Sequence, residues 1–173
     1  MPEMMKAALI YGQGDLRFGE APKPEITHPD DVLIRVRACG ICPSDLRAYT
    51  GTRGGMRSFP YVPGHEWAGE VVAVGEAVTK FTVGDRVVPS PRVTCGKCYY
   101  CTRGIFNYCE NLERGRVRGG FAQYGVALEG NLFKIPDHVS FIEASFCEPL
   151  ACCINGSLDS KIGFGEDTVI VGA

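Results

Sequence analysis

Four of the nine cysteines in this 173-residue chain fall into a pattern. Cys95-Gly-Lys-Cys98-Tyr-Tyr-Cys101, followed by Cys109, reads Cys-x2-Cys-x2-Cys-x7-Cys within 15 residues. Four thiolates on one short lobe can close a tetrahedron around Zn²⁺, at about 2.3 Å per Zn–S bond. A closed four-sulfur site leaves no position for a substrate, so such a metal is structural. Its binding free energy would fold a segment with little apolar content of its own, such as Lys97, Arg103, Gly104 and Asn107. An iron–sulfur cluster also takes four cysteines, but its usual spacings differ from this one and no Pro follows Cys109. A nucleic-acid-gripping zinc ribbon pairs two Cys-x2-Cys knuckles at longer separation, and the surroundings here are not strongly basic.

A second constellation is looser. Cys42-Pro-Ser44-Asp45 and Gly64-His65-Glu66 are each unremarkable alone, because a single Cys is more often a small buried hydrophobe and a single His a satisfied core residue. Together they supply a soft thiolate, an imidazole, a carboxylate and a hydroxyl. Catalytic zinc sites use three protein ligands and one open position. Cys42 and His65 give two, and Glu66 or Glu148 the third. Asp45 is a natural acceptor for the far nitrogen of His65, fixing its tautomer and orientation. Cys39, Cys147, Cys152 and Cys153 match no ligand spacing and read as packing residues, and His28 and His138 as surface residues.

Short strands must position these groups. Residues 6–11 and 15–18 flank Gly12-Gln13-Gly14 and read as a strand pair around a turn. Residues 31–38, 66–74, 82–90, 120–127 and 131–136 read as further strands, with a loop over 51–63. Ser44 is a possible N-cap for a helical turn reaching Tyr49. Six or more short strands with little helix predict a mainly β barrel. After Pro136, Ser140-x-x-Glu143 is a capping box, and Glu148-Pro149 starts a second helix with Glu148 as its cap. The apolar run beginning at Asp167 has the pattern of a strand buried on both faces of a parallel sheet.

Composition narrows the class. Hydrophobic residues make up 45% and charged residues 22%, which excludes a disordered chain. A net charge of −2, with one short basic cluster at Arg114, Arg116 and Arg118, favours neither nucleic acid nor another polyanion. No apolar run approaches a membrane span, and the first residues lack the apolar core of a signal peptide. An odd number of cysteines argues against a disulfide framework, so a cytoplasmic protein is expected.

Gly40-Ile41-Cys42-Pro-Ser44-Asp45, Gly64-His65-Glu66-Trp-Ala-Gly-Glu70-Val-Val, Val83-Gly84-Asp85-Arg86-Val87 and the four-Cys lobe resemble, in order and spacing, the zinc-dependent medium-chain alcohol dehydrogenases. Glu148-Pro149-Leu150-Ala151 is similar to the polyol (sorbitol) and threonine dehydrogenase branch. The resemblance implies a GroES-like catalytic domain over 1–160 with its structural zinc lobe at 91–115. Residues 161–173 would then open a truncated Rossmann dinucleotide-binding domain. It implies NAD(P)-linked hydride transfer from a zinc-bound alkoxide of a small-molecule alcohol, in a parent protein that is a homo-oligomer. Two zincs are implied, one catalytic on Cys42, His65 and Glu66 or Glu148, the other structural on Cys95, Cys98, Cys101 and Cys109. Ser44 would accept the hydroxyl proton, and Asp45 would support His65. Gly172 would be the first glycine of the G-x-G-x-x-G fingerprint for NAD or NADP. Arg47 departs from the pattern: many relatives carry a His there, at the outer end of a proton relay, and Arg cannot accept a proton. Because the fingerprint breaks off at Ala173, the expectation is an N-terminal fragment that binds zinc and lacks the cofactor domain, inactive by itself. The alternative is a stand-alone, non-enzymatic zinc-binding barrel.

Overall fold

Apolar alternation builds the first hairpin. β1 (Met4–Gly12) and β2 (Asp15–Pro22) pair antiparallel around Gln13 and Gly14, as residues 6–11 and 15–18 predict. Met5, Ala7 and Leu9 on β1 bury on one face and join Ala21 in a small cluster closed by Val62, Ala122 and Tyr124. The computed structural model describes residues 1–52, 58–91, 94–111 and 119–171. Gly172 and the Arg114, Arg116 and Arg118 cluster lie outside the described residues, as do 53–57 of the expected loop and parts of the expected lobe.

Five strands form the second sheet: β3 (Asp31–Gly40), β4 (Glu66–Val74), β5 (Arg86–Pro89), β6 (Tyr124–Leu128) and β7 (Leu132–Lys134). Their order is β6-β3-β4-β5-β7, all antiparallel. Register shifts at Leu33/Ile34 and Val36/Ala38 bend β3 against β4, as bulges do, and curl the sheet. Bridges at Ala7–Ala122 and Ile10–Tyr61 fasten the hairpin to the neighbouring chain, giving the barrel that strand number and spacing predict. The enclosed core is Val32, Ile34, Trp67, Val71, Phe81, Val87, Ala127 and Leu132. Burying each such side chain contributes about 1.5–3 kcal/mol for the larger ones.

Among the described residues three α-helices sit outside the sheets: α1 (Pro43–Tyr49), α2 (Phe141–Ser145) and α3 (Cys147–Ser160). The predicted capping box opens α2: the Glu143 N–H donates to Ser140 Oγ at 3.2 Å, and the Ser140 N–H to Glu143 Oε2 at 2.7 Å. Ala144 seats α2 on Ala68, Val88 and Ile135. Arg86 staples the approach to α2, donating to the carbonyls of Asp137 (3.0 Å) and Val139 (2.6 Å) while its guanidinium lies over the Phe141 ring. Among the described residues no helix is long and apolar enough to cross a membrane.

Several elements differ from expectation. Cys42, not Ser44, is the N-cap of α1: Asp45, three residues after Cys42, accepts the Cys42 N–H at 3.0 Å, whereas Arg47, three residues after Ser44, has no carboxylate to return. Glu148 lies in the first turn of α3 behind Phe146, which serves as the cap, since α2 runs almost directly into α3. Residues 82–85 fold as a turn in which Asp85 Oδ2 accepts the Thr82 N–H at 2.8 Å, so the strand there shortens to β5. Residues 167–171 are exposed and carry no strand, because a ladder needs a partner and no described strand pairs with them. Cys147, Cys152 and Cys153 are exposed rather than packed, because α3 buries no residue. His28 and His138 are on the surface, and Cys39 is half-buried against the core, as expected.

Candidate metal centres

The β3–β4 pairing assembles the looser constellation. Its last pair sets Gly40 opposite Glu66, so β3 ends where β4 begins. Cys42 follows β3 by two residues, and His65 immediately precedes β4. Two backbone features leave room for this. A Cβ on Gly40 would come within 2.5 Å of Glu66 Oε2, so the buried Glu66 carboxylate lies over a bare α-carbon. Gly64 holds φ +92°, and a Cβ there would meet the Phe121 ring and backbone N at 2.8 Å. Both glycines belong to the motifs that carry Cys42 and His65, but spacing along the chain does not show either close approach. Their adjacency to ligand-type residues was the available signal.

Cys42, His65 and Glu66 bring a sulfur, a ring nitrogen and a carboxylate oxygen within 4.8 Å of one another. A thiolate, an imidazole and a carboxylate at that separation suit a tetrahedral cation such as Zn²⁺, with one position left over. Asp45 supports the set from α1. Its Oδ2 accepts the Cys42 N–H at 3.0 Å, and its Oδ1 accepts the Gly64 N–H at 3.4 Å and faces His65 Nδ1 at 3.7 Å. Burial alone would push the Asp45 carboxyl up. The His65 ring and the two backbone donors outweigh that and hold it below the usual carboxylate range. Asp45 in turn raises His65 to about 9 against the cost of burial, with Cys42 adding to the effect. A carboxylate that favours a positive imidazole also favours one carrying a metal cation on its other nitrogen.

The remaining residues of this set are placed as follows. Ser44 is half-buried in the first turn of α1, and Arg47 is exposed near its end. Glu148 is half-buried on α3 and stands outside the three-residue cluster. Instead its Oε1 accepts the Cys152 thiol at 3.6 Å, one helical turn on.

The four-Cys lobe is assembled differently. Cys95, Cys98, Cys101 and Cys109 also place their sulfurs within 4.8 Å. Cys101 opens one 3₁₀ turn, Cys101–Arg103, Cys109 follows the other, Phe106–Tyr108, and Cys95 and Cys98 lie in the irregular chain before them; the cysteines themselves are the lobe's buried centre. Backbone N–H groups of Cys95 (3.3 Å) and Asn111 (3.5 Å) point at Cys109 Sγ. The Lys97 N–H, then Asn111 and the Cys98 N–H, lower Cys95 to about 6, whereas burial and the neighbouring thiols push Cys101 up to about 12. Donors aimed at sulfur stabilise thiolates, and packing four thiolates together is unfavourable without a cation to neutralise them. The donor set fits a closed Zn²⁺ site.

Residues 28–137 match the family model described as alcohol dehydrogenase GroES-like domain. The chain is 40% identical to the sorbitol dehydrogenase of Bacillus subtilis, over 99% of this chain and 50% of that protein. It is 39% identical to the L-threonine 3-dehydrogenase of Alteromonas mediterranea, over 100% of this chain and 50% of that one. Among solved structures, a zinc-binding dehydrogenase of Sinorhizobium meliloti bound to NADP superposes with a TM-score of 0.81 at 37% identity, covering 92% of this chain and 46% of that one. The chain thus spans about half the length of the curated relatives it matches.

Proposed function

The chain belongs to the alcohol dehydrogenase GroES-like domain family, and from that premise we propose that it forms the metal-binding part of a zinc-dependent, NAD(P)-linked dehydrogenase of small alcohols, polyols or amino alcohols. One observation carries the reading: Cys42, His65 and Glu66 converge within 4.8 Å, a three-donor set with one position open to substrate. Zinc, when bound, supplies Lewis acidity toward an alcohol oxygen. The nicotinamide cofactor performs the redox step.

The chain's own residues hold and move the proton. Asp45 orients the His65 ring and ties the Cys42 segment to the Gly64 segment. The Ser44 hydroxyl, two residues from Cys42, accepts the substrate's hydroxyl proton and passes it to water. Arg47 takes no part in that transfer, because guanidinium has no lone pair to offer. Glu66 is the third donor, and Glu148 stands by from α3. Cys95, Cys98, Cys101 and Cys109 hold a second, structural zinc. In the same reading residues 1–160 are the catalytic domain, with the lobe at 91–115. Residues 161–173 open the cofactor domain, with Gly172 in its fingerprint. The whole protein works in the cytoplasm as a homo-oligomer.

Zinc per chain, measured by elemental mass spectrometry after purification without chelator, tests this. The expected result is two zincs, one for each donor cluster, falling to one in Cys42→Ser. One zinc that is insensitive to Cys42→Ser would overturn the reading and leave a structural zinc barrel.

A further inference from the structure

α1 carries Cys42 at its start and Ser44 and Asp45 in its first turn, yet it buries no side chain. Its inner side, Ser44, Asp45, Ala48 and Tyr49, is only half-buried, so the helix leans on contacts at its ends. Asp45 holds the first turn, through the N–H groups of Cys42 and Gly64. The other end meets the tip of the β1–β2 hairpin. There the Gly14 N–H donates to the Tyr49 carbonyl at 2.8 Å. The Gln13 side chain lies across Gly51, where an added Cβ would meet Gln13 Cδ at 2.8 Å and Cγ and Oε1 at 3.0 Å. Gly51 also holds φ +73°, which an L side chain adopts only with strain. Further back on β1, Ile10 exchanges both backbone bonds with Tyr61 (2.9 and 3.1 Å), just ahead of Gly64 and His65. The hairpin therefore contacts the segment between Cys42 and His65 at two places, the end of α1 and Tyr61.

We propose that this hairpin tip clamps the metal centre, and that Gln13 is a positioning residue that fixes α1, and with it the Cys42 sulfur and the Ser44 hydroxyl, against His65 and Glu66. The proposal rests on the reading of Cys42 as a metal ligand. Without the Gln13 side chain, the far end of α1 keeps its backbone bond to Gly14 but loses the packing over Gly51. A seven-residue helix with no fully buried side chain then tilts about its Asp45 end. Ligand geometry held to about 0.5 Å separates a tight metal site from a loose one, so a small tilt is enough to matter.

Zinc release to a chromophoric chelator, followed in time on the full chain, tests the clamp. Cys42→Ser and Cys98→Ser assign the release phases to the two clusters. Gln13→Ala is expected to speed the Cys42-dependent phase about tenfold, the low end of what second-layer changes do to metal affinity. The four-cysteine phase and the melting temperature should stay unchanged, and Gln13→Glu, which keeps the same stem, should restore the slow release. In Co²⁺-substituted protein, Gln13→Ala should shift only the ligand-field bands that Cys42→Ser abolishes. An unchanged Cys42-dependent phase in Gln13→Ala would overturn the clamp while leaving the metal reading intact. Both phases accelerating together would also overturn it, as general destabilisation. If Cys42→Ser removes no phase, the metal reading falls and the clamp falls with it.

Discussion

The two donor clusters reach the same compactness, with their donor atoms within 4.8 Å, by opposite routes. The four-Cys lobe is contiguous in the chain, and its buried centre consists of the ligands themselves while Tyr99, Phe106 and Tyr108 stay exposed around it. The Cys42, His65 and Glu66 set is scattered in the chain and is brought together by the ends of β3 and β4, over a core that includes the fully buried Trp67. In the proposed reading, metal binding would supply the lobe's folding energy. In the other set the sheet would supply it, and a metal would find a site already formed. The lobe should therefore depend on zinc for its structure, and the sheet-built site for its occupancy alone.

Stripping the metal should separate the two most widely. Structural zinc contributes apparent binding energies of about 10–16 kcal/mol in small peptides, so the lobe should lose protection from hydrogen exchange when zinc is removed by a strong chelator. The amides of β3 and β4 should keep theirs. Loss of protection across both regions would erase the distinction. A smaller effect is expected from Asp45→Asn, which keeps the shape and removes the charge facing His65. It should weaken zinc at the Cys42 site by roughly 10–100-fold and leave the lobe's affinity unchanged, as measured by chelator competition. The smallest is Ser140→Ala, which removes the α2 cap and should cost about 1 kcal/mol in a denaturant melt without altering either metal affinity. That variant is the control for any claim that the sheet-built site merely reports stability.

The contrast also explains what could be read in advance. The lobe was legible because its spacing is local: four cysteines within one turn-rich segment need no tertiary information to be recognised. The second set was legible in residue type but not in membership. Glu66 and Glu148 are equally plausible carboxylates along the chain, and only the Gly40–Glu66 pairing brings Glu66 into the cluster while Glu148 accepts the Cys152 thiol on α3. Strand ends were misread where polar side chains fold the backbone back, as Asp85 does onto Thr82. The cap of α1 was misplaced because Cys is a rare cap, and the deciding bond comes from Asp45. The α3 cysteines match no ligand spacing, but that does not bury them, because burial depends on what lies across the helix.

The Gly40–Glu66 register has one more implication. Side chains alternate across a strand, so a slip of one residue between β3 and β4 would turn the Glu66 carboxylate to the opposite face and bring the Trp67 indole beside Cys42. Such a sheet could still bury apolar surface, but it would present no third donor. If the site takes zinc as proposed, its uptake would be a proofreading signal, given only by chains whose strands have assembled in phase.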